Sequence, residues 1–174
     1  QSLMMPQIKF QVCLSPLELW KAHGREDVEF LISPNPGEPL KPLAKIASGG
    51  EMSRIMLALK TILTKVDRLP TLIFDEVDAG IGGRTVQAVG EKLALIGRER
   101  QVICVTHSPQ VSSFATAHFQ IAKQVEGGRT TTTVTRLDEE GRVQELARML
   151  GGHSITGTTI KHAEEMLAMV GQKA

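Results

Sequence analysis

The chain has 174 residues, 41% hydrophobic and 22% charged, with a formal net charge of +1, which suffices for one sizeable core and predicts one domain. This near-neutral balance excludes a globally basic protein that coats nucleic acid, though not a local basic patch. Cys13 and Cys104 lie far apart with no CxxC or Cys/His cluster, so neither a zinc site nor a disulfide framework is expected and both read as core thiols. With no run of 18 apolar residues and no signal-peptide pattern, the expectation is a soluble cytoplasmic protein with no membrane association.

In chain order, Ile8-Lys-Phe-Gln-Val12 alternates as a half-buried strand does, and Val28-Glu-Phe-Leu-Ile32 repeats the pattern. Residues 33–42 carry four prolines, too many for a helix or a central strand, and read as a loop. The loop delivers the chain to Ala47-Ser-Gly-Gly-Glu-Met-Ser-Arg54, the opening of a helix that runs toward Val66. Its apolar face is Met52, Ile55, Met56, Leu59, Ile62, Leu63 and Val66. After Pro70, Thr71-Leu-Ile-Phe-Asp75-Glu76 reads as a buried parallel strand ending in two carboxylates.

Val77-Asp-Ala-Gly-Ile-Gly-Gly83 then reads as a flexible turn, followed by a helix with Val86, Val89, Leu93 and Ile96 on one face. Gln101-Val-Ile-Cys-Val105 predicts a second buried strand, ending at Thr106, His107 and Ser108, with a short segment after Pro109. Residues 119–125 and 131–135 predict a hairpin across Glu126-Gly-Gly128. Two helices close the chain, one around Val143, Leu146, Ala147 and Leu150, the other around Ile160, Ala163, Leu167 and Val170. The alternation of strands and helices predicts an α/β layered fold, and no internal repeat is present.

Chemistry concentrates at three places. Gly49 and Gly50 bare the backbone at a helix N-terminus, where N–H groups and the helix dipole favour an anion such as phosphate. Ser48 has two readings: a capping box with Glu51, or an outward-facing hydroxyl donating to a phosphate oxygen. Asp75 and Glu76 stand at the carboxyl end of a strand, where open α/β sheets bind ligands. His107 follows the next strand, 107 − 76 = 31 residues after Glu76, whereas His23, His118, His153 and His162 read as surface or structural. Asp78 could equally be a turn former beside Gly80.

Serine-glycine-glycine, then strand plus Asp-Glu, then strand plus His closely resembles the ATP-binding cassette ATPases. The SGGE of Ser48 to Glu51 points to their SMC-like branch, transporter cassettes carrying SGGQ. The resemblance implies ATP and Mg²⁺ as ligands. It implies that Asp75 holds Mg²⁺ through water as the Walker B aspartate, that Glu76 polarises the attacking water, and that His107 contacts the γ-phosphate. It further implies that Asp78 communicates across a dimer of heads. Ser48, Gly49, Gly50 and Glu51 form the signature, whose serine caps the γ-phosphate held by the facing head.

The cradle GxxxxGK[ST] is absent from the sequence. Gly80-Ile-Gly-Gly-Arg-Thr85 lacks both its lysine and its spacing. The resemblance therefore implies the C-terminal lobe of an SMC-like head: a mostly parallel sheet flanked by helices, with a peripheral hairpin. The N-terminal lobe with Walker A and the coiled coil are expected outside this chain, and Gln1-Ser-Leu3 is expected where the coil would return.

Within that branch residues 35–60, 72–83, 105–111 and 144–152 resemble a bacterial DNA-repair family, over about Val28 to Val170, with Gly80-Ile-Gly-Gly83 as the discriminating detail. That family implies ATP-dependent tethering of DNA in double-strand break repair and recombination. The implied partners are the N-terminal lobe, a second head in a homodimer, and DNA, at the nucleoid. Alternative readings are a nucleotide-gated clamp in which hydrolysis is only a reset, and a transporter-type cassette, which Glu51 and the missing phosphate loop disfavour.

Overall fold

A computed structural model describes residues 8–22, 24–33, 37–45, 49–63, 69–126, 128–152 and 154–171. Its centre is a parallel pair, β4 (Thr71–Asp75) and β5 (Gln101–Val105), in strict register from Thr71 opposite Gln101 to Asp75 opposite Val105. Leu72 and Phe74 from β4 face inward, with Val102 and Cys104 packed beside them. Helices α1 (Gly49–Ile62) and α2 (Arg84–Gly97) cover that face, α1 through Leu57 and α2 through Val86, Val89, Leu93 and Ile96. The 3.6-residue spacing of the α2 set is what places all four on one stripe. Val111, from the short α3 (Pro109–Ser113), completes this core.

The opposite face of the pair is bare. Ile73 is 71% exposed, Ile103 45% and Val105 50%. The continuous apolar run that predicts strands buried on both faces is therefore satisfied on one face only, because nothing among the described residues covers the other.

The expected α/β class is present, but parallel pairing is confined to β4–β5; the other two sheets of the described residues are antiparallel. One is built on a long hairpin of β1 (Lys9–Lys21) and β2 (Gly24–Ser33), with the two-residue β3 (Lys41–Pro42) on its edge and a 3-10 turn at Leu43–Lys45. The first strand runs nine residues beyond the predicted Val12, 21 − 12, with a register irregularity after Pro16. Proline is tolerated there because β1 is the edge strand of the order β1-β2-β3, with one side unpaired. Phe10, Val12, Leu14, Val28 and Phe30 share one largely exposed face, Phe10 and Phe30 stacking at 5.7 Å. That face is thus not half-buried as expected, and Cys13 on this hairpin is only partly covered, not a core thiol.

The predicted second hairpin is present as β6 (Phe119–Glu126) and β7 (Arg129–Arg136). Helices α4 (Glu139–Gly151) and α5 (Gly157–Gly171) pack through Leu146, Ala147 and Ala163, flanked by Val143, Leu150, Ile160 and Leu167. Asp138 caps α4 by accepting from the Gly141 N–H at 2.8 Å. A polar knot ties the hairpin to α4: Gln120 Nε2 donates to Glu145 Oε2 at 2.6 Å, and Arg148 grips both Glu145 oxygens at 2.6 and 2.8 Å. The Arg148 hydrogen bonds hold the Glu145 carboxyl below the usual carboxylate range against the opposing effect of burial, with Gln120 assisting. His118 sits beside this knot, and burial holds its imidazole below the usual histidine range, in keeping with a structural role. No described helix is long and apolar enough to cross a membrane.

Gly90 on α2 gives a direct test of this packing. A Cβ there would lie 2.4 Å from Phe114 Cδ2. In an open helix Gly→Ala gains up to about 1 kcal/mol, but here the ring contact should reverse the sign. Gly90→Ala is expected to destabilise by about 1–3 kcal/mol in thermal unfolding; a raised melting temperature would contradict the packing.

Candidate functional site

The in-register pairing of β4 and β5 brings two chain exits to one edge. Asp75 ends β4 with an exposed side chain, and Glu76 follows it; beside them Val105 ends β5, and Thr106, His107 and Ser108 follow. The His107 imidazole is exposed. Three of the expected residues, Asp75, Glu76 and His107, are thus at the same sheet edge, with the N-terminus of α1 close by.

The turn after β4 is packed, not flexible. Val77 is fully buried and Asp78 nearly so, while Gly80 and Gly83 take the positive φ that closes it. Glu76 is the one described non-glycine residue with positive φ, at 54°. That conformation costs about 1–2 kcal/mol and persists only where its surroundings over-determine it.

Helix α1 supplies the restraints. Ser53 Oγ donates to the Asp75 carbonyl at 2.8 Å, and Arg54 Nη1 donates to the Ala79 carbonyl at 2.8 Å, so one helical turn grips both ends of residues 75–79. Within the turn the Ala79 N–H donates to the Glu76 carbonyl at 3.0 Å. Arg54 is buried, and burial lowers its guanidinium from the usual arginine range while Glu51 in the same first turn opposes the shift.

Gly49 and Gly50 both meet this turn. A Cβ on Gly50 would lie 3.1 Å from the carbonyl oxygens of Glu76 and Ala79, so its bareness permits the close approach of helix to turn. A Cβ on Gly49 would lie 3.1 Å from Glu76 Oε2. The Glu76 carboxylate therefore faces the positive end of α1, a favourable placement for an anion. Glu51 is half-buried on the first turn. Ser48, like His23 and His153, lies outside the described residues.

Across the sheet edge, the Thr106 hydroxyl donates to Asp78 Oδ2 and accepts from the Ser108 N–H at 2.9 Å. Ser108 in turn caps α3 by accepting from the Val111 N–H at 3.3 Å. Asp78 Oδ1 is buried with no hydrogen-bond partner. Beneath, burial pushes the Cys104 thiol up to about 12, with Asp78 and Asp75 adding to the shift, so this thiol stays protonated and inert. Ser53, Arg54 and Thr106 are the residues that reading the sequence missed. Each sits next to a residue singled out, but a side chain that holds another segment's backbone leaves no spacing pattern.

No family model matches the chain. In structure it is similar to the Smc head domain with a coiled coil and joint from Pyrococcus yayanosii, with a TM-score of 0.57 at 23% identity over 83% of this chain and 26% of that one. A second neighbour, from work on ATP-driven dimerization and DNA-stimulated activation of SMC ATPases, has a TM-score of 0.50 at 22% identity over 88% of this chain and 87% of that one. The fold is that of an SMC ATPase head.

In sequence the chain is 48% identical to DNA repair protein RecN of Halalkalibacterium halodurans over 92% of its length. It is 52% identical to that of Treponema pallidum over 83%, and 46% identical to that of Bacillus subtilis over 90%. The chain belongs to the RecN family. It spans about a quarter of the length of the curated relatives it matches.

Arg54→Met keeps most of the buried stem and removes the donor to Ala79. The loss of a charge-assisted hydrogen bond is expected to lower stability by about 1–3 kcal/mol in urea unfolding. An unchanged midpoint would mean that the turn is held by other contacts.

Proposed function

We propose that this chain is the C-terminal lobe of an SMC-like head, domain 1–174, which hydrolyses ATP only when a second lobe carrying a Walker A loop completes it. The observation that carries this reading is the bare apolar face at Ile73, Ile103 and Val105. Strands apolar on both sides belong in a sheet covered on both faces, and a covering lobe would come from the rest of a protein of the relatives' length. RecN relatives are named for DNA repair, and one structural neighbour is described for ATP-driven dimerization. The whole protein is accordingly read as an ATPase that pairs heads around nucleotide and tethers DNA at breaks, in the cytoplasm at the nucleoid.

The site residues divide the work. Glu76 orients and deprotonates the attacking water, and His107, from the neighbouring strand exit, contacts the γ-phosphate. No group of three metal-ligating side chains is clustered among the described residues. A single exposed carboxylate at a strand end nonetheless suits Mg²⁺, which is commonly bound by one or two carboxylates together with substrate phosphates and water. Asp75 would hold that ion, which supplies charge neutralisation to the phosphate oxygens. By the family resemblance, Ser48, Gly49, Gly50 and Glu51 would serve the partner head's nucleotide, with Asp78 on the path between the two sites.

The packed turn also supports assigning Glu76 the base role, because a residue held in a strained conformation by Ser53, Arg54 and Gly50 is placed at some cost in stability. Glu76→Gln in the complete protein should leave ATP binding intact, slow hydrolysis by about 10²–10⁴-fold and accumulate paired heads in size-exclusion chromatography. Unchanged turnover would remove Glu76 from the base role.

A further inference from the structure

We propose that Thr106 is a positioning residue for hydrolysis: its hydroxyl clamps Asp78 to the exit of β5, so the turn that carries Glu76 and the segment that carries His107 hold one relative placement. The proposal rests on the roles given above to Glu76 and His107. Its geometry does not.

The hydroxyl uses both of its capacities, donating to Asp78 Oδ2 and accepting from the Ser108 N–H. Thr106 is thus bonded on one side to the turn of β4 and on the other to the cap of α3, with His107 between the two anchored residues. Asp78 is buried and its second oxygen has no partner. Thr106 is therefore the hydrogen-bond donor seen on this carboxylate, and a buried carboxylate stripped of its donor pulls toward solvent. Asp78 lies two residues from Glu76, so its departure would release the positive-φ conformation at that position. Ser53 and Arg54 fix the backbone ends of the turn from the α1 side. Thr106 makes the described side-chain bond that crosses from this turn to the second strand exit.

The roles of hydroxyl and volume are separable. Thr106→Val removes the donor at nearly constant shape, and Thr106→Ser restores the donor without the methyl group. In the full-length protein, Thr106→Val should lower kcat for ATP hydrolysis by about 10–100-fold, the equivalent of one charge-assisted hydrogen bond, while KM for ATP changes less than twofold. Thr106→Ser should recover kcat to within about threefold. Asp78→Ala and Thr106→Val combined should be no worse than the more severe single change, since both break one bond.

Hydrogen exchange on the same full-length variants reads the clamp without activity. Thr106→Val should speed exchange in peptides covering 76–80 and 105–108 together, and Thr106→Ser in neither. A Thr106→Val kcat within twofold of the parent, a Thr106→Ser no better than Thr106→Val, or multiplicative losses in the double variant would overturn the positioning role. Faster exchange confined to 105–108 would overturn the clamp itself. If the parent protein hydrolysed no ATP, the function proposed above would fail, while the exchange result would still decide the clamp.

Discussion

The site depends on the in-register parallel pairing of Thr71–Asp75 with Gln101–Val105. Because Asp75 stands opposite Val105, the chain leaves both strands at one edge, and each exit residue inherits a fixed place from the ladder. A slip of one residue would turn Leu72 and Phe74 out of the core and carry Asp75 to the other face. The buried set of Leu57, Val86, Val89, Leu93 and Ile96 on two helices makes that slip costly. Hydrophobic packing on one side of the sheet thereby sets the position of carboxylates and imidazole at its end.

A second layer of restraint converts that edge into a shaped site. Residues 75–79 are gripped from α1 by Ser53 and Arg54 and from β5 by Thr106, and α1 approaches the turn closely because Gly50 has no side chain. The same contacts hold Glu76 at φ 54°. Local strain and the buried, half-satisfied Asp78 are departures from stability that cluster around the residues to which chemistry is assigned, as expected where geometry matters more than comfort.

Much of this was legible in the residue pattern. The α2 stripe and the α4–α5 pair follow from 3.6-residue periods in Val86 to Ile96 and Leu146 to Leu167, both core strands from the apolar runs at 71–74 and 101–105, and the β6–β7 hairpin from two strand-like runs around a glycine turn. Asp75, Glu76 and His107 were visible because each follows an apolar run. What escaped was non-local or two-sided. The first strand extends past Pro16 because β1 is an edge strand whose register shifts beyond that proline, which composition alone does not disclose. The strands read as buried on both faces because Ile73, Ile103 and Val105 are as apolar as their neighbours, although these side chains are exposed in this chain. Arg54 and Thr106 carry no spacing signal, because each acts by holding a turn that lies elsewhere in the sequence.

In the function proposed here, the bare face at Ile73, Ile103 and Val105 and the missing phosphate cradle are two aspects of one property, a lobe completed by another. The most direct measurement is ATP turnover by this chain alone and after addition of a separately purified N-terminal lobe carrying the phosphate loop. No turnover is expected from the chain alone, turnover is expected on mixing, and it should be lost when Ile73→Asp and Ile103→Asp place charges on the bare face. Robust hydrolysis by the chain alone, unchanged by the added lobe, would contradict the proposal.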